Sequence, residues 1–328
     1  MRDLPKVELH LHIEGAAPPA FIRGLAQEKR IDISGIFAED GGYAYRDFHH
    51  FLEVYEAACS VLTGPEEFLR LTKAVLEESA SHGVVYTEMF ISPDFCGGGD
   101  VAAWREYLAA MEEAAHAVPD ITMRGIATCI RHFGGEKAKQ TAVCAAETAG
   151  DFVTGFGMGG AEDAFTPADF KWAFDCAREA GLQITTHAGE WGGAKSVRDS
   201  IEALSPSRIG HGVQAIDDPA LCDLLIERDI TLEVCPGSNV FLASNVFNGE
   251  TPRLDKHPIE RLRDRGVKVT ISTDDPPFFR TTMTQEYENL ARTFGYDEAV
   301  FAELNQVALD AAFCDDTTRE TIRKRLTQ

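Results

Sequence analysis

The chain has 328 residues, 44% of them hydrophobic, with 31 Lys plus Arg against 53 Asp plus Glu and a formal net charge of −22. That length allows one large barrel or two ordinary domains, and the apolar share is enough for a substantial core. So acidic a chain excludes phosphate-backbone binding to nucleic acid, which depends on Lys and Arg, and disfavours long-range capture of anionic substrates. A neutral or cationic small molecule is the expected partner. The eight cysteines are scattered singly with no CxxC, which fits reduced thiols better than a disulfide framework. No apolar run approaches the roughly 20 residues that cross a bilayer, and the N-terminus MRDLPKVELHLHIEG lacks an apolar signal region. A cytoplasmic protein with no membrane partner is expected.

Residues 6–13 (KVELHLHI) read as a first strand. His10 and His12 lie two apart, so on a strand both imidazoles face the same side. About seventy residues then separate this strand from the next, far more than one crossover helix needs. The span 14–80 therefore reads as a helical insertion capping a pocket, with Phe48, Phe51, Leu52 and Tyr55 as an apolar rim. Ordinary core packing is an equally natural role for any one of these four. Strands follow at 84–91 and 121–129, separated by a helix over 101–117 that sets Trp104, Leu108, Met111 and Ala115 at helical spacing. The strand at 152–158 runs into Gly155-Phe-Gly157-Met-Gly159-Gly160. This is a literal GxGxxG, but no helix opens at once and the next strand ends in His187 rather than an acid. A dinucleotide fingerprint needs both; the glycines instead suit backbone N–H groups, including that of Gly160, facing a flat ligand. Helical patterns at 168–180 and 219–228 alternate with strands at 183–188, 208–213, 230–235 and 267–273. Strand–helix alternation repeated eight times predicts a closed parallel (β/α)8 barrel of TIM type. Nothing divides the chain, so residues 1–328 are expected to form one domain.

In such a barrel the C-terminal ends of the strands converge on one face. His12, His187, His211 and Asp274 all sit at such ends. His10, His12, His187 and Asp274 make a ligand set for one zinc-like ion. His211, between Gly210 and Gly212, could be a ligand or could activate a water; the second role is preferred, with Asp274 completing the shell. Gly189 permits a sharp turn that returns Glu190 over the mouth, where an enclosed carboxyl can hold a proton at neutral pH and act as general acid/base. Asp275, adjacent to Asp274, points elsewhere and is available to substrate. Each motif alone has a duller reading: hydrogen-bonded barrel histidines, a surface Glu in a loop, an Asp-Asp-Pro turn. Together they favour metal-assisted hydrolysis. Of the other histidines, His82 and His116 read as bland, His257 as a helix cap before Pro258, His132 as a neighbour of the site, and His49 and His50 as undecided.

The combination of KVELHLHIEG, THAGE, GHG and STDDPPFF, running through nearly the whole chain, resembles the adenosine deaminase family of metal-dependent purine deaminases. The resemblance implies a (β/α)8 barrel with one zinc per subunit, bound by His10, His12, His187 and Asp274. It further implies that Glu190 protonates purine N1, that His211 orients and deprotonates the attacking water, that the Gly160 amide meets N3 and that Asp275 meets N7. No lysine stands in GFGMGG, unlike the binuclear amidohydrolases, so one metal is expected. Adenosine deaminases carry Asp two residues after the second metal His, where it holds the ribose 5′-hydroxyl. Here that position is Glu14, as in relatives acting on free adenine or on other modified adenines. Gly210 and Trp191 resemble the nucleoside branch, so deamination of adenosine and 2′-deoxyadenosine is the expected activity. The alternatives are an adenine or modified-adenosine deaminase and, more remotely, a non-catalytic purine-binding barrel.

Overall fold

The computed structural model describes residues 1–327. Its eight strands are β1 (Lys6–His12), β2 (Val84–Ile91), β3 (Thr122–Ile130), β4 (Val153–Gly159), β5 (Gln183–Ala188), β6 (Arg208–His211), β7 (Thr231–Val234) and β8 (Val269–Ile271). They pair in parallel in the order β1-β2-β3-β4-β5-β6-β7-β8. A bridge between Leu11 and Asp274 closes the barrel, with His12 N donating to Asp274 O and Asp274 N to His10 O, both at 3.1 Å. This is the expected (β/α)8 barrel. The last three strands are shorter than the sequence suggests, because the chain leaves the ladder early to form the site. His211, Gly212 and Asp274 take left-handed φ values of 59°, 68° and 67°. For His211 and Asp274 this conformation carries strain, which concentrates at functional positions.

The chain after β1 forms α1 (Pro19–Lys29) and α2 (Phe48–Cys59), which cap the barrel mouth, before α3 (Pro65–Ser81). Within the span 14–80, α3 packs against α4 (Val101–Ala117) and β2 as a member of the outer ring, so the cap is confined to the part before it. Asp47 starts α2 by accepting from His50 N at 2.9 Å, an N-cap satisfying one orphan donor. Asp100 does the same for α4 through Ala103 N at 2.9 Å. Along α4, Trp104, Leu108 and Met111 are buried as the spacing predicts, each burial stabilising by about 1.5–3 kcal/mol. The ring continues with α5 (Gly135–Ala146), α6 (Lys171–Glu179), α7 (Gly193–Leu204) and α8 (Pro219–Glu227), then α9 (Pro236–Leu242), α10 (Ile259–Asp264) and α11 (Pro276–Phe279). The chain finishes with α12 (Met283–Phe294), α13 (Glu298–Ala311) and α14 (Asp316–Leu326).

Phe313, between α13 and α14, plugs the barrel floor against Phe90 and Ile126. This explains two of the glycines in β4: a Cβ on Gly155 would lie 2.7 Å from the Phe313 ring, and one on Gly157 would lie 3.1 Å from Phe90. Those two glycines make room for core rings, correcting the expectation that the whole run faces a ligand. All eight cysteines are free. Among the described residues no helix is long and apolar enough to cross a membrane.

Candidate active site

The C-terminal mouth brings together His10, His12, His187 and Asp274, each offering a ligand atom within 4.8 Å of all the others. His10 Nε2 and His12 Nε2 each lie 3.3 Å from Asp274 Oδ1, and His12 Nε2 lies 3.1 Å from His187 Nε2. These residues come from β1, β5 and the turn after β8, so only barrel closure makes them neighbours. The donor set fits a divalent cation. His10 Nδ1 is held by Glu233 Oε2 at 2.9 Å, which directs Nε2 at the site, where it is buried without a hydrogen-bond partner. Such a His–carboxylate contact orients a metal-binding imidazole. Burial and the neighbouring imidazoles lower His187 well below its usual value, and burial also lowers His12, so both offer lone pairs. Burial would lower His10 too, but the nearby carboxylates of Asp274 and Glu233 outweigh it and raise the ring to about 9. Two carboxylates converging on one imidazole are a surplus of negative charge that a cation would balance.

Above this cluster lies a cavity of about 70 Å³, lined by His12, Phe48, Phe51, Leu52, Tyr55, Gly160, His187, Glu190, His211, Asp274 and Asp275 among others. Phe48, Phe51, Leu52 and Tyr55 all come from α2, so the apolar rim expected of the insertion is there. Phe279, packed on Phe51 with ring centres 5.4 Å apart, and Leu242 also line the cavity. Glu190 is buried, its Oε2 3.6 Å from His211 Nε2. Burial, followed by the charges of Asp274 and Glu162, raises its carboxyl well above the usual range, the direction a proton-carrying acid needs. Burial drives His211 down to about 3, leaving it neutral, with Nε2 3.9 Å from Asp274 Oδ2. Asp275 is packed so closely over Gly15 that a Cβ there would lie 1.5 Å from Oδ1. That oxygen is buried without a partner, and burial together with the charges of Asp274 and Glu14 raises the carboxyl well above the usual range, the direction that favours a protonated, hydrogen-bond-donating form.

Glu14, expected to touch substrate, does not line the cavity. Its Oε2 accepts from Tyr55 O–H at 3.1 Å, and burial raises the carboxyl to about 7. Tyr55, which does line the cavity, thus engages one oxygen of Glu14, while the other, Oε1, is buried without a hydrogen-bond partner. His49 is exposed beside Asp163, and His50 accepts from Arg46 N; neither reaches the site. His132 lines the cavity and bonds Glu56 at 3.1 Å.

Several contributors escaped the sequence reading. Glu162 accepts from the backbone N–H groups of Gly189, Glu190 and Trp191 at 2.5, 3.1 and 2.7 Å, so one carboxylate holds the whole turn carrying Glu190. Ser238 donates to Asp274 Oδ2 at 2.7 Å. Glu233 links His10 to Arg208, with Nε to Oε1 at 2.6 Å. Asn239 reaches both Glu190 and His211. Ser238 and Asn239 follow β7 directly, a position on the catalytic face; a search of every strand end, rather than of His and acids alone, would have found them.

Comparison with known proteins places this geometry. A family profile described as adenosine deaminase matches residues 5–328. An adenine deaminase of Rhizobium rhizogenes is 44% identical over 325 residues, covering 98% of this chain and 99% of the relative. An adenine deaminase of Agrobacterium fabrum is 43% identical over 327 residues, covering 98% of each. Among solved structures, adenine deaminase from Arthrobacter aurescens superposes with a TM-score of 0.87 at 27% identity, covering 98% of both chains. An amidohydrolase from Burkholderia ambifaria with bound Zn gives 0.86 at 27%, covering 99% of this chain and 90% of the other. The whole barrel is thus shared, and the chain belongs to the adenosine deaminase family.

Proposed function

We propose that this protein is a zinc-dependent adenine deaminase, converting adenine and water to hypoxanthine and ammonia. The observation that carries the choice of base over nucleoside is the placement of Glu14: it does not line the cavity, and its Oε2 is bonded to the rim residue Tyr55 at 3.1 Å. The relatives named adenine deaminase are over 40% identical along the full chain, and support this alternative better than the adenosine activity expected from Gly210 and Trp191.

His10, His12, His187 and Asp274 would hold the ion, which lowers the pKa of a water from 15.7 toward about 7 and so supplies the nucleophile. Asp275 donates to N7, and the Gly160 amide faces N3. Glu190 gives its proton to N1, which draws electrons from C6. His211 Nε2 and Asp274 Oδ2, 3.9 Å apart, flank the incoming oxygen, orient it and share its proton. The C6–N6 bond then breaks as the proton shared by His211 and Asp274 passes to the departing nitrogen; ammonia leaves, and the C6 hydroxyl gives up its proton to the Glu190 carboxylate, which yields hypoxanthine with its oxo group at C6 and restores the acid. Buried, pre-oriented donors of this kind stabilise developing charge without reorganisation.

The test is a substrate panel with zinc-loaded protein, following loss of absorbance near the adenine maximum for adenine, adenosine and 2′-deoxyadenosine. Adenine is expected to have the highest kcat/KM. Faster turnover of either nucleoside would reverse the assignment, and purine binding without product would favour the non-catalytic barrel.

A further inference from the structure

Three groups outside the ligand set form a chain that ends on the proposed acid. Ile259 N donates to His257 Nδ1 at 3.2 Å. His257 Nε2 lies 3.1 Å from Asn239 Oδ1. Asn239 Nδ2 donates to Glu190 Oε1 at 3.3 Å and lies 3.4 Å from His211 Nδ1. His257 and Asn239 are both buried, so no water competes for these contacts. The helix-cap role expected of His257 accounts for only the first link.

The direction of every bond follows from the first. A backbone N–H only donates, so Nδ1 of His257 must accept, and the neutral ring then carries its proton on Nε2. Burial depresses this ring to about 3, consistent with a neutral imidazole. Nε2–H must donate, which assigns the facing atom of Asn239 as oxygen. A flipped amide would set two donors against each other at His257. The amide NH2 therefore points at Glu190 and His211. With Oε1 engaged as an acceptor, the proton of the neutral carboxyl resides on Oε2, the oxygen nearer His211.

Resting on the reading of Glu190 as the acid that protonates N1, we propose that His257 and Asn239 are positioning residues: a tautomer-locked His fixes an amide, and the amide keeps the acid proton of Glu190 on Oε2, the oxygen on the His211 side of the site. Removing the amide leaves the carboxyl free to rotate or to place its proton on the wrong oxygen. Such a change acts on turnover far more than on ground-state binding.

The experiment compares Asn239→Leu, Asn239→Asp, His257→Phe and His257→Gln with the parent enzyme, all zinc-loaded. Metal content, Tm and kcat and KM for adenine are measured. Asn239→Leu and Asn239→Asp are expected to lower kcat ~100-fold, within the range ascribed to a general acid, with KM within about threefold and metal content unchanged. In Asn239→Asp a second carboxylate faces Oε1 and draws the proton away from the purine. His257→Phe should fall similarly, and His257→Gln, whose amide can still donate to Asn239 Oδ1, should recover most of the rate. Equal kcat losses for His257→Phe and His257→Gln, or losses carried by KM or by metal content, would overturn the proposal. A parallel measurement needs no turnover: 15N shifts of the histidine rings should give His257 as the Nε2–H tautomer. An Nδ1–H ring overturns the proposal. An Nε2–H ring in a protein that turns over no purine supports the orientation and sinks the proposed reaction instead.

Discussion

Arg208→Met tests the charge arrangement beneath the metal ligands. Arg208 is only 1% exposed. Its Nη2 lies 2.6 Å from Glu88 Oε2 and its Nε 2.6 Å from Glu233 Oε1, and its guanidinium sits 3.4 Å from the Phe313 ring centre. Methionine fills similar space but leaves two buried carboxylates without their cation. Burial alone would raise Glu233; the Arg208 guanidinium, with His10, overrides it and brings the carboxyl from its ordinary 4.5 to about 2. That fall corresponds to about 3 kcal/mol, in line with the ~3–5 kcal/mol lost when one partner of a buried pair is removed. The sign is that of a depressed acid: the stabilisation is fully present above the unfolded value near 4.5 and is lost as pH falls through about 2. The variant should therefore be about 3 kcal/mol less stable at pH 7. The gap should narrow on acidification, because protonation relieves the unpaired carboxylates in the variant while removing the benefit from the parent. Urea unfolding of both proteins at matched ionic strength, stripped of metal so that its release does not enter, reads this directly. A gap below about 1 kcal/mol at pH 7, or one that widens on acidification, would refute the reasoning. Glu233 also orients His10, so the variant should bind zinc about 10–100-fold more weakly.

Glu190→Gln should retain zinc and purine binding while kcat falls about 10²–10⁴-fold, because N1 loses its proton donor; an unchanged kcat would remove Glu190 from that role. In the parent enzyme the raised Glu190 should make kcat fall as pH rises through the carboxyl's elevated value, and this limb should be missing from the Gln variant. Asp274→Ala should lose metal as well as rate, read by atomic absorption after gel filtration; normal metal content would contradict the four-ligand shell. Glu162→Gln replaces an acceptor of three backbone N–H groups with one carbonyl and a donor, leaving at least one buried N–H poorly paired at about 1–3 kcal/mol. Its Tm should drop and its kcat should fall with metal content intact; an unaltered Tm would show that the turn holds itself.

The barrel was legible in the sequence because parallel strands buried on both faces write short apolar runs, and because the residues between them carry helical spacing. The site was legible for a related reason. Barrel strands present their ends on one face, so His12, His187 and Asp274 announced a shared site despite their distance along the chain. What local pattern could not determine was how neighbouring side chains satisfy one another. GFGMGG reads identically whether its glycines face a ligand or, as at Gly155 and Gly157, leave room for Phe313 and Phe90. Glu14 was identified as the departure that matters, but only packing showed its carboxylate taken by Tyr55, 41 positions away. Glu162 follows β4, Asn239 and His257 both follow β7, and each is an ordinary residue until folding buries it in the network around Glu190. A buried polar atom must find its partner wherever the fold supplies one, and that pairing belongs to the tertiary structure, not to any stretch of the chain.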